Sequence, residues 1–391
     1  MQHERINSGS QAERGDMESV ANLTVDSVID SLSDGVYVCD MERRIIYWSE
    51  SAARITGWSQ ADVVGKHCFD NVLCHIDKDG HELCVNEFCP LHRAMITGKL
   101  SKVSQLVYAQ GANGQRIPME VTVAPIHDDS GKIIGGVETF RDASAKVHDL
   151  ERAKTIQQLA MEKDVPEDIR LTFTTHYISH DIVGGDYYAI KNLGDDTYGL
   201  ILADVMGHGI SAALYTIHLS SLWNRYHTLL KNPVEFVSRV NKELVAVVKG
   251  EGSFATAIGG LIDLKKNVFR FVSAGGPEIL LFHPDGTYES SNSAGLPLGL
   301  MSNADYEELS TEFSQSDSLL LFSDGAVEIE NAENKMLGHE GLVEILKSQN
   351  YPELPLQMEV LEEALLKYSN SIRLEDDLTI IEIRFQRNVN S

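Results

Sequence analysis

The N-terminal third of the chain alternates apolar and polar positions with the two-residue period of β-strands. Short helices interrupt this pattern, and glycine- or aspartate-containing turns separate its parts. The pattern predicts helices at 23–32 and 49–59, and strands at 35–40, 43–48, 101–110, 114–128 and 131–142. We therefore expect an α+β domain over 23–143, an antiparallel sheet with short helices, preceded by a polar N-terminal extension over 1–22.

The next stretch is charged and contains neither proline nor glycine. It predicts a helical linker over 144–163 with an imperfect apolar stripe. Such a helix is marginal in water unless it packs against something, so two interpretations remain open: a solvated single helix and a short two-stranded coiled coil. The second would make the protein a homodimer. The stripe consists of Val147, Leu150, Ala153, Ile156, Leu159 and Ala160.

From residue 164 to 391, short apolar runs alternate with amphipathic helical patterns. The order predicts two stacked, mostly antiparallel sheets covered by helices, an αββα sandwich. Strands are predicted for the run ending at Val183 and for 198–203, 254–275, 278–286, 319–322 and 380–385, and helices for 210–226, 233–248, 341–349 and 357–369.

Composition narrows the class of protein. The 391 residues are 43% hydrophobic and 23% charged, which is ordinary for a globular protein. A net charge of −25 argues against nucleic-acid binding, because there is no basic surplus to neutralise phosphates. No apolar run approaches the length of a membrane helix, and the polar start is not a signal peptide. We therefore expect a cytoplasmic protein with no nucleic-acid or membrane partner.

Aspartate stands at the edge of an apolar run four times in the C-terminal half, at Asp186, Asp204, Asp324 and Asp376. Any one of them alone is best explained as a turn residue, since aspartate and glycine are common there. Together they offer only hard oxygen ligands, which suit magnesium or manganese. The set predicts a metal site at the strand ends.

Four motifs carry a family resemblance: GGDYY from Gly184, DVMGHGISAAL from Asp204, FSDGAVE from Phe322 and EDDLTI from Glu375. In this order they resemble the bacterial metal-dependent (PPM, type 2C) serine/threonine phosphatases, in the branch that regulates sigma factors and sporulation. The resemblance covers roughly 164–388. It implies hydrolysis of a phosphoserine or phosphothreonine, with an anti-sigma-factor antagonist as the phosphorylated partner.

The resemblance also implies roles for individual residues. Asp204 would bridge two Mn²⁺ or Mg²⁺ ions, with the Val205 carbonyl beside it. Asp324 and Asp376 would each hold one ion, and Asp186 would act through bound waters. Two such ions activate a water for direct attack, so no nucleophilic side chain is needed. Two roles are open for His208. It would either protonate the leaving serine oxygen or only pack against the turn that follows the metal-binding aspartate.

The chain departs from the family pattern at two positions. Ala189 stands where an acid often follows the paired aromatics, and Gly276 ends a segment that usually reads Ala-Gly-His. Neither position is among the four acids, so an enzyme is still expected. A catalytically weak phosphatase-fold scaffold that binds a partner is a competing hypothesis, against which the presence of all four acids argues. A nucleotide cyclase is another, because GGD also opens its signature, but it leaves DVMGHG and DDLT unexplained.

Three segments of the N-terminal domain resemble a PAS sensor domain: DGVYVCD, IIYWSESAARITGW and IIGGVETFRDAS. Four of the five cysteines, Cys68, Cys74, Cys84 and Cys89, fall within 22 residues of this domain, and their spacing is not that of a CxxC zinc knuckle. A similar arrangement in a subset of PAS domains favours Cys68, His75, Cys84 and Cys89 as the ligands of a metal or iron–sulfur centre. The alternative is a set of reduced thiols in a cytosolic loop.

Overall fold

The computed structural model describes residues 25–84, 89–102, 106–161, 165–207, 209–248, 253–292, 295–371 and 373–386. The chain divides into two compact units, Met1–His148 and Asp149–Ser391. The predicted extension over 1–22 lies outside the described residues. Within them, no helix is both long and apolar enough to span a membrane.

The N-terminal unit is one antiparallel sheet with short helices. Its strand order is β2-β1-β6-β5-β3, with β4 also paired to β5. The strands are β1 Gly35–Asp40, β2 Ile45–Trp48, β3 Ser101–Lys102, β4 Val107–Gln110, β5 Arg116–His127 and β6 Ile133–Asp142. The helices are α1 Val25–Asp30, α2 Glu50–Thr56, α3 Gln60–Val63 and α4 Pro90–Thr97. The strand predicted over 101–110 is thus two strands, β3 and β4.

Strand alternation builds the core of this unit. Tyr37 of β1, Trp48 of β2 and Phe140 of β6 are fully buried. The Tyr37 and Trp48 rings lie 5.7 Å apart, and the Trp48 and Phe140 rings 6.2 Å apart. Burying a large side chain of this kind stabilises a fold by about 1.5–3 kcal/mol. Gly35 leaves room for the Phe140 ring, because a Cβ there would lie 2.4 Å from it.

The linker is the helix α5, Ser144–Ala160. Two residues of its apolar stripe are exposed, Ile156 at 55% and Leu159 at 81%, whereas Leu150 is buried and the other three are partly buried. The side chain that the helix buries most deeply is polar, Gln157.

The C-terminal unit contains two five-stranded sheets, ordered β14-β11-β10-β9-β8 and β13-β12-β15-β16-β7, with antiparallel pairing between neighbouring strands. The strands are β7 Leu171–Ile178, β8 Asp186–Gly194, β9 Thr197–Val205, β10 Ala255–Asp263, β11 Val268–Ala274, β12 Ile279–Phe282, β13 Tyr288–Ser291, β14 Leu309–Glu312, β15 Ser318–Phe322 and β16 Leu378–Phe385. The helices are α6 Ile210–Tyr226, α7 Pro233–Val248, α8 Gly338–Ser348 and α9 Met358–Ser369.

Alternation along the strands produces the layers of the sandwich. Leu200 and Leu202 of β9 join a core cluster that includes Leu319 and Leu321 of β15 in the other sheet. Ile201, between them in sequence, belongs instead to the cluster with residues of α6 and α7. A third cluster packs β12, β15 and β16 against α8 and α9. The predicted αββα sandwich is confirmed.

The prediction of a strand that ends at Val183 is wrong. The strand β7 ends at Ile178, residues 179–185 are irregular, and β8 begins at Asp186. The backbone N–H groups of His180 and Gly185 donate to the Asp377 side chain instead of to a strand partner. Asp186 therefore starts a strand and does not follow one.

Candidate metal centre

Two of the four predicted acids face each other across neighbouring strands. Asp186 and Asp204 are direct partners in the antiparallel register of β8 and β9. Because side chains on one strand face repeat every second residue, Asp186 shares its face with Ile190, and Asp204 shares its face with Leu202. Both hydrophobic residues belong to the layer between the sheets. The two carboxylates thus lie at the end of that layer.

The other two acids come from the second sheet. Asp324 follows β15, and Asp376 precedes β16, the neighbouring strand. The hydroxyl of Thr379, on β16, donates to Asp186 Oδ2 at 2.5 Å and so joins the two sheets. The structure therefore brings all four predicted acids to one end of the sandwich.

Sequence reasoning missed a fifth acid, Asp377. Its buried carboxylate accepts hydrogen bonds from the backbone N–H groups of His180, at 2.6 Å, and Gly185. These bonds fix the turn immediately before Asp186. A signal was available, because Asp377 has the same parity along β16 as the inward-facing Thr379 and Ile381, whereas Asp376 has the opposite parity and is exposed.

Glycines let the backbone approach these acids closely. A Cβ on Gly185 would lie 2.8 Å from the Val205 carbonyl oxygen, and one on Gly325 would overlap the Asp377 carbonyl. Gly207 and Gly209 have φ angles of 87° and 81°, which other residues rarely adopt. His208, the predicted proton donor between them, lies outside the described residues.

Burial and mutual repulsion both raise the pKa values of the acids. Burial, followed by the nearby charge of Asp377, raises the pKa of Asp186 to about 8. Burial, followed by the charges of Asp186 and Asp324, raises the pKa of Asp204 to about 9. Burial also raises the pKa of Asp324 and of Asp377. These directions are those of carboxylates crowded together without a counter-cation.

The donor set fits hard divalent cations. Asp186 is fully buried, and its Oδ1 has no hydrogen-bond partner within the described structure. An orphaned buried carboxylate oxygen is costly unless a cation or donor satisfies it. Yet the acids are not one tight group. Among the described residues, three ligand atoms lie within 4.8 Å of one another only at Asp77, Asp79 and His81.

Each of the two units matches a known protein family. Residues 194–386 match the family described as Stage II sporulation protein E (SpoIIE), and residues 33–145 match the PAS domain family. The chain joins a PAS domain to a phosphatase domain of the SpoIIE, PP2C type. The sequence resemblances to these two families are thereby confirmed.

Two curated relatives come from Bacillus subtilis. Phosphoserine phosphatase RsbP is 28% identical over 46% of this chain and 45% of its own length. Phosphoserine phosphatase RsbU is 25% identical over 63% of this chain and 73% of its own length. The chain thus spans less than half of RsbP. Among solved structures, the SiaA-PP2C domain of Pseudomonas aeruginosa is 20% identical with a TM-score of 0.55, covering 62% of this chain and all of that domain, which establishes the fold.

The two departures from the phosphatase pattern have different surroundings. Ala189 is fully buried on the face of β8 that packs against the helices, away from Asp186. An acid missing there removes nothing from the metal centre. Gly276 lines a recess of about 10 Å³ together with Asp204, Thr256 and Pro277. The histidine that the family carries at this position would have stood beside the predicted bridging acid.

The linker helix reaches the phosphatase turn through Gln157. Its Nε2 donates to the Gly184 carbonyl at 2.7 Å and to the Thr216 hydroxyl at 2.8 Å. Gly184 precedes the Gly185–Asp186 segment of the centre, and Thr216 belongs to α6. The apolar stripe gave no signal for this residue, because a buried glutamine is invisible to hydrophobic periodicity.

The predicted PAS ligands lie in or near the core of their domain. Cys68, Cys89 and His75 are buried, and Cys84 is partly buried. The His75 backbone N–H donates to Cys84 Sγ at 3.1 Å. Burial raises the pKa of Cys84 to about 12 and raises the pKa of Cys68 and Cys89 as well. Neutral buried thiols are poor nucleophiles.

One further residue belongs to this cluster. Glu138 of β6 is buried, its Oε2 accepts from the Tyr37 hydroxyl at 3.2 Å, and its Oε1 lies 3.6 Å from His75 Nε2. Burial raises the pKa of Glu138 to about 8 and lowers the pKa of His75 to about 4. The sequence held a signal for Glu138: it is the one acidic residue in the segment IIGGVETF of β6, and it stands at an inward-facing position.

The compact group of Asp77, Asp79 and His81 is a hydrogen-bonded turn. Asp77 is buried, and it accepts from the backbone N–H groups of Asp79 and His81, both at 2.9 Å. Its second oxygen lies 3.0 Å from His81 Nδ1. The Asp77 carboxylate is thus fully occupied in closing the turn.

Proposed function

We propose that this protein is a PAS-regulated, metal-dependent phosphatase that hydrolyses phosphoserine or phosphothreonine on a regulatory protein. The observation that carries the proposal is the convergence of five aspartates from two sheets beside one glycine-lined turn, with a buried oxygen of Asp186 left unpaired. The likeness to two phosphoserine phosphatases, RsbP and RsbU, supports the same reaction.

Each acid of the site has a different proposed role. Asp204, Asp324 and Asp376, which are partly or fully exposed, would hold two Mn²⁺ or Mg²⁺ ions together with the Val205 carbonyl. Asp186 stands behind them, fully buried and fixed by Thr379. Such ions supply a water of lowered pKa and neutralise phosphoryl oxygens. Asp377 holds the Gly185 backbone in place and so orients Asp186.

The partner class follows from the family resemblance. The proposed substrate is a phosphorylated antagonist of an anti-sigma factor, and dephosphorylation would release a sigma factor. The described site has an open edge, because Asp376 and Met206 are exposed. A phosphoserine on a protein surface can therefore reach the acids without entering a deep cavity.

The test is hydrolysis of p-nitrophenyl phosphate and of a serine-phosphorylated antagonist protein, measured with Mn²⁺, with Mg²⁺ and with excess EDTA. We expect turnover with either ion and none with chelator. Full activity in EDTA would overturn the metal-dependent mechanism. The scaffold hypothesis predicts that the phosphorylated protein binds in a pull-down while neither substrate is hydrolysed with any added ion.

The predicted homodimer is part of the proposal. It is supported by the exposure of Ile156 and Leu159 on α5, two apolar side chains that a second copy of the helix would cover. Light scattering is expected to give a dimer at micromolar concentration for the natural protein and a monomer for the Ile156→Glu/Leu159→Glu variant. Circular dichroism of both proteins checks that α5 persists.

For the PAS domain, the metal or iron–sulfur centre on Cys68, His75, Cys84 and Cys89 remains a proposal. Convergence of these residues on one buried region supports it. Its regulatory role would be tested by comparing phosphatase rates of protein prepared with and without oxygen.

A further inference from the structure

An unpaired hydroxyl lies beside the metal centre. Tyr177, on β7, is partly buried, but its Oη atom is inaccessible to solvent and makes no hydrogen bond within the described structure. A buried hydroxyl without a partner costs about 1–3 kcal/mol, so its presence at this position calls for an explanation. The surroundings of the atom point to the carboxylates of the centre.

Strand pairing places Tyr177 on the side of the acids. Tyr177 of β7 is the direct partner of Thr379 on β16 in the antiparallel register. Directly paired residues point to the same face of a sheet, with Cβ atoms about 4.5–5.5 Å apart. The Thr379 hydroxyl donates to Asp186 Oδ2 at 2.5 Å. The Tyr177 side chain therefore stands next to the residue that holds Asp186.

Gly184 locates the hydroxyl more closely. A Cβ on Gly184 would lie 2.0 Å from Tyr177 Oη and 2.7 Å from Asp377 Oδ2. Both oxygens thus border the same point, and they lie close together against the turn that precedes Asp186. A side chain at position 184 would push them apart, which gives this glycine a reason beyond backbone freedom.

Tyr177 can act here only as a donor that orients other groups. Burial, followed by the charges of Asp377 and Asp186, raises the pKa of the Tyr177 hydroxyl well above its usual range, so the hydroxyl keeps its proton. Asp377 Oδ2 accepts from the Gly185 N–H and has a second lone pair to offer. Because Tyr177 Oη is closed to solvent, it does not reach a phosphate bound at the open edge of the site.

We propose that Tyr177 is a positioning residue of the metal centre. A small rotation brings its hydroxyl onto Asp377 Oδ2, and this bond steadies the Gly185 backbone from which Asp186 projects. The inference rests on the proposed function, because its consequence is tighter binding of Mn²⁺ or Mg²⁺ by the acids. Replacing a residue that directly orients a metal ligand typically weakens metal binding by about 10- to 100-fold. Tyr177 acts through one residue more, so we expect a smaller effect.

The test is Tyr177→Phe, which removes the hydroxyl and keeps the ring. Hydrogen exchange of residues 179–185, followed by mass spectrometry in EDTA, is expected to be about three- to tenfold faster than in the natural protein. Calorimetric titration is expected to show Mn²⁺ binding weakened by about three- to tenfold. Turnover of p-nitrophenyl phosphate at saturating Mn²⁺, and the KM for this substrate, should change by less than about twofold.

Tyr188→Phe is the matched control. Tyr188 is a partly buried residue that packs against the layer between the sheets, and its hydroxyl donates to Thr175 Oγ1 at 3.3 Å instead of facing an acid. Exchange of the turn and Mn²⁺ affinity should be the same in this variant as in the natural protein. In an Asp377→Ala background, Tyr177→Phe should have no further effect on Mn²⁺ affinity, because the acceptor of its hydrogen bond is already gone.

Three results would overturn the proposal: unchanged exchange and Mn²⁺ affinity in Tyr177→Phe, equal changes in Tyr188→Phe, or additive effects of Tyr177→Phe and Asp377→Ala. A hydroxyl that merely fills space gives the first of these patterns, with an equal or higher urea midpoint. If the natural protein binds no Mn²⁺ and hydrolyses neither substrate, the proposed function fails. The exchange comparison in EDTA still decides whether Tyr177 holds the turn.

Discussion

The protein contains two polar clusters that are built in opposite ways. In the PAS core, Tyr37, His75 and Glu138 are sealed among hydrophobic side chains. In the phosphatase domain, the acids stand at the rim of a sandwich, where Asp186 is buried but Asp376 is exposed. Each cluster leaves a buried atom unpaired. The difference teaches that a sealed cluster acts chiefly on the stability of its own domain, whereas an open one can admit ions and a substrate.

The open cluster should show its largest effect in catalysis. Asp204→Asn is expected to reduce metal-dependent turnover by about 100-fold or more, because the bridging role proposed for Asp204 would support both the nucleophile and the phosphoryl group. Asp186→Asn should reduce turnover less, since the role proposed for Asp186 is exerted through bound waters. Initial rates at saturating Mn²⁺ measure both. Asp195→Asn, in the exposed turn at the other end of the same strand pair, is the matched control, and equal small losses at Asp186 and Asp204 would contradict the assignment.

The sealed cluster should respond in stability instead. Tyr37→Phe removes the hydroxyl that donates to Glu138 and leaves a second oxygen of that carboxyl unpaired. The PAS domain is expected to lose about 1–3 kcal/mol of unfolding free energy. Urea unfolding followed by the fluorescence of Trp48 and Trp58 measures it. Phosphatase turnover with Mn²⁺ should be unchanged, and an unaltered urea midpoint would show that the cluster is not sealed.

The same Asp204→Asn variant should sharpen the contrast when metal is absent. The charges of Asp186 and Asp324 raise the pKa of Asp204, and a neutral amide at this position removes that repulsion, so the phosphatase domain should gain on the order of 1–2 kcal/mol in EDTA. Saturating Mn²⁺ should reverse the order, since only the natural site binds ions fully. Thermal unfolding in each condition tests this, and an equal response of both proteins to Mn²⁺ would count against it.

The smallest effect concerns a histidine that, unlike His75, keeps contact with solvent. His283 Nδ1 lies 3.0 Å from Asp317 Oδ1, and this hydrogen bond raises the pKa of His283 above its usual range. The stability that protonated His283 contributes is complete at pH values below its pKa in the unfolded chain, about 6.5. It is lost as the pH rises through the higher pKa of His283 in the folded protein. His283→Gln should therefore cost about 0.2–1 kcal/mol at pH 6 and less at pH 9. Urea unfolding at both pH values checks this, and a cost that grows with pH would refute it.

Sequence alone was sufficient for the layers and for four of the acids. Hydrophobic runs indicate strands because most strands of the sandwich bury one or both faces, as β12 and β15 do, and aspartates at their edges mark the turns. The start of β8 could not be read in this way. Gly184 and Gly185 interrupt the pattern, and whether residues before them form a strand depends on Asp377, almost 200 positions away, which takes their hydrogen bonds.

The PAS cluster shows a different limit. Spacing of cysteines and histidines identified a region of the chain, but Glu138 lies far from it in sequence. The sheet brings β6 beneath the cysteine segment, and no local pattern encodes that approach. Gln157 was missed for the same reason, because a polar residue is buried there only through bonds to Gly184 and Thr216.

The position of β16 has a consequence for how the protein is made. Its only described neighbours are β15 and β7, and β7 is paired with no other strand. About 200 residues separate the paired Ile178 and Leu378, so a ribosome needs roughly 10–40 s to supply the partner that β7 awaits. During that time β7 offers a bare edge, which three threonines within it keep polar. A nascent chain that stops before Asp376 lacks both β16 and two of the five acids, so a truncated product would be inactive and prone to aggregate.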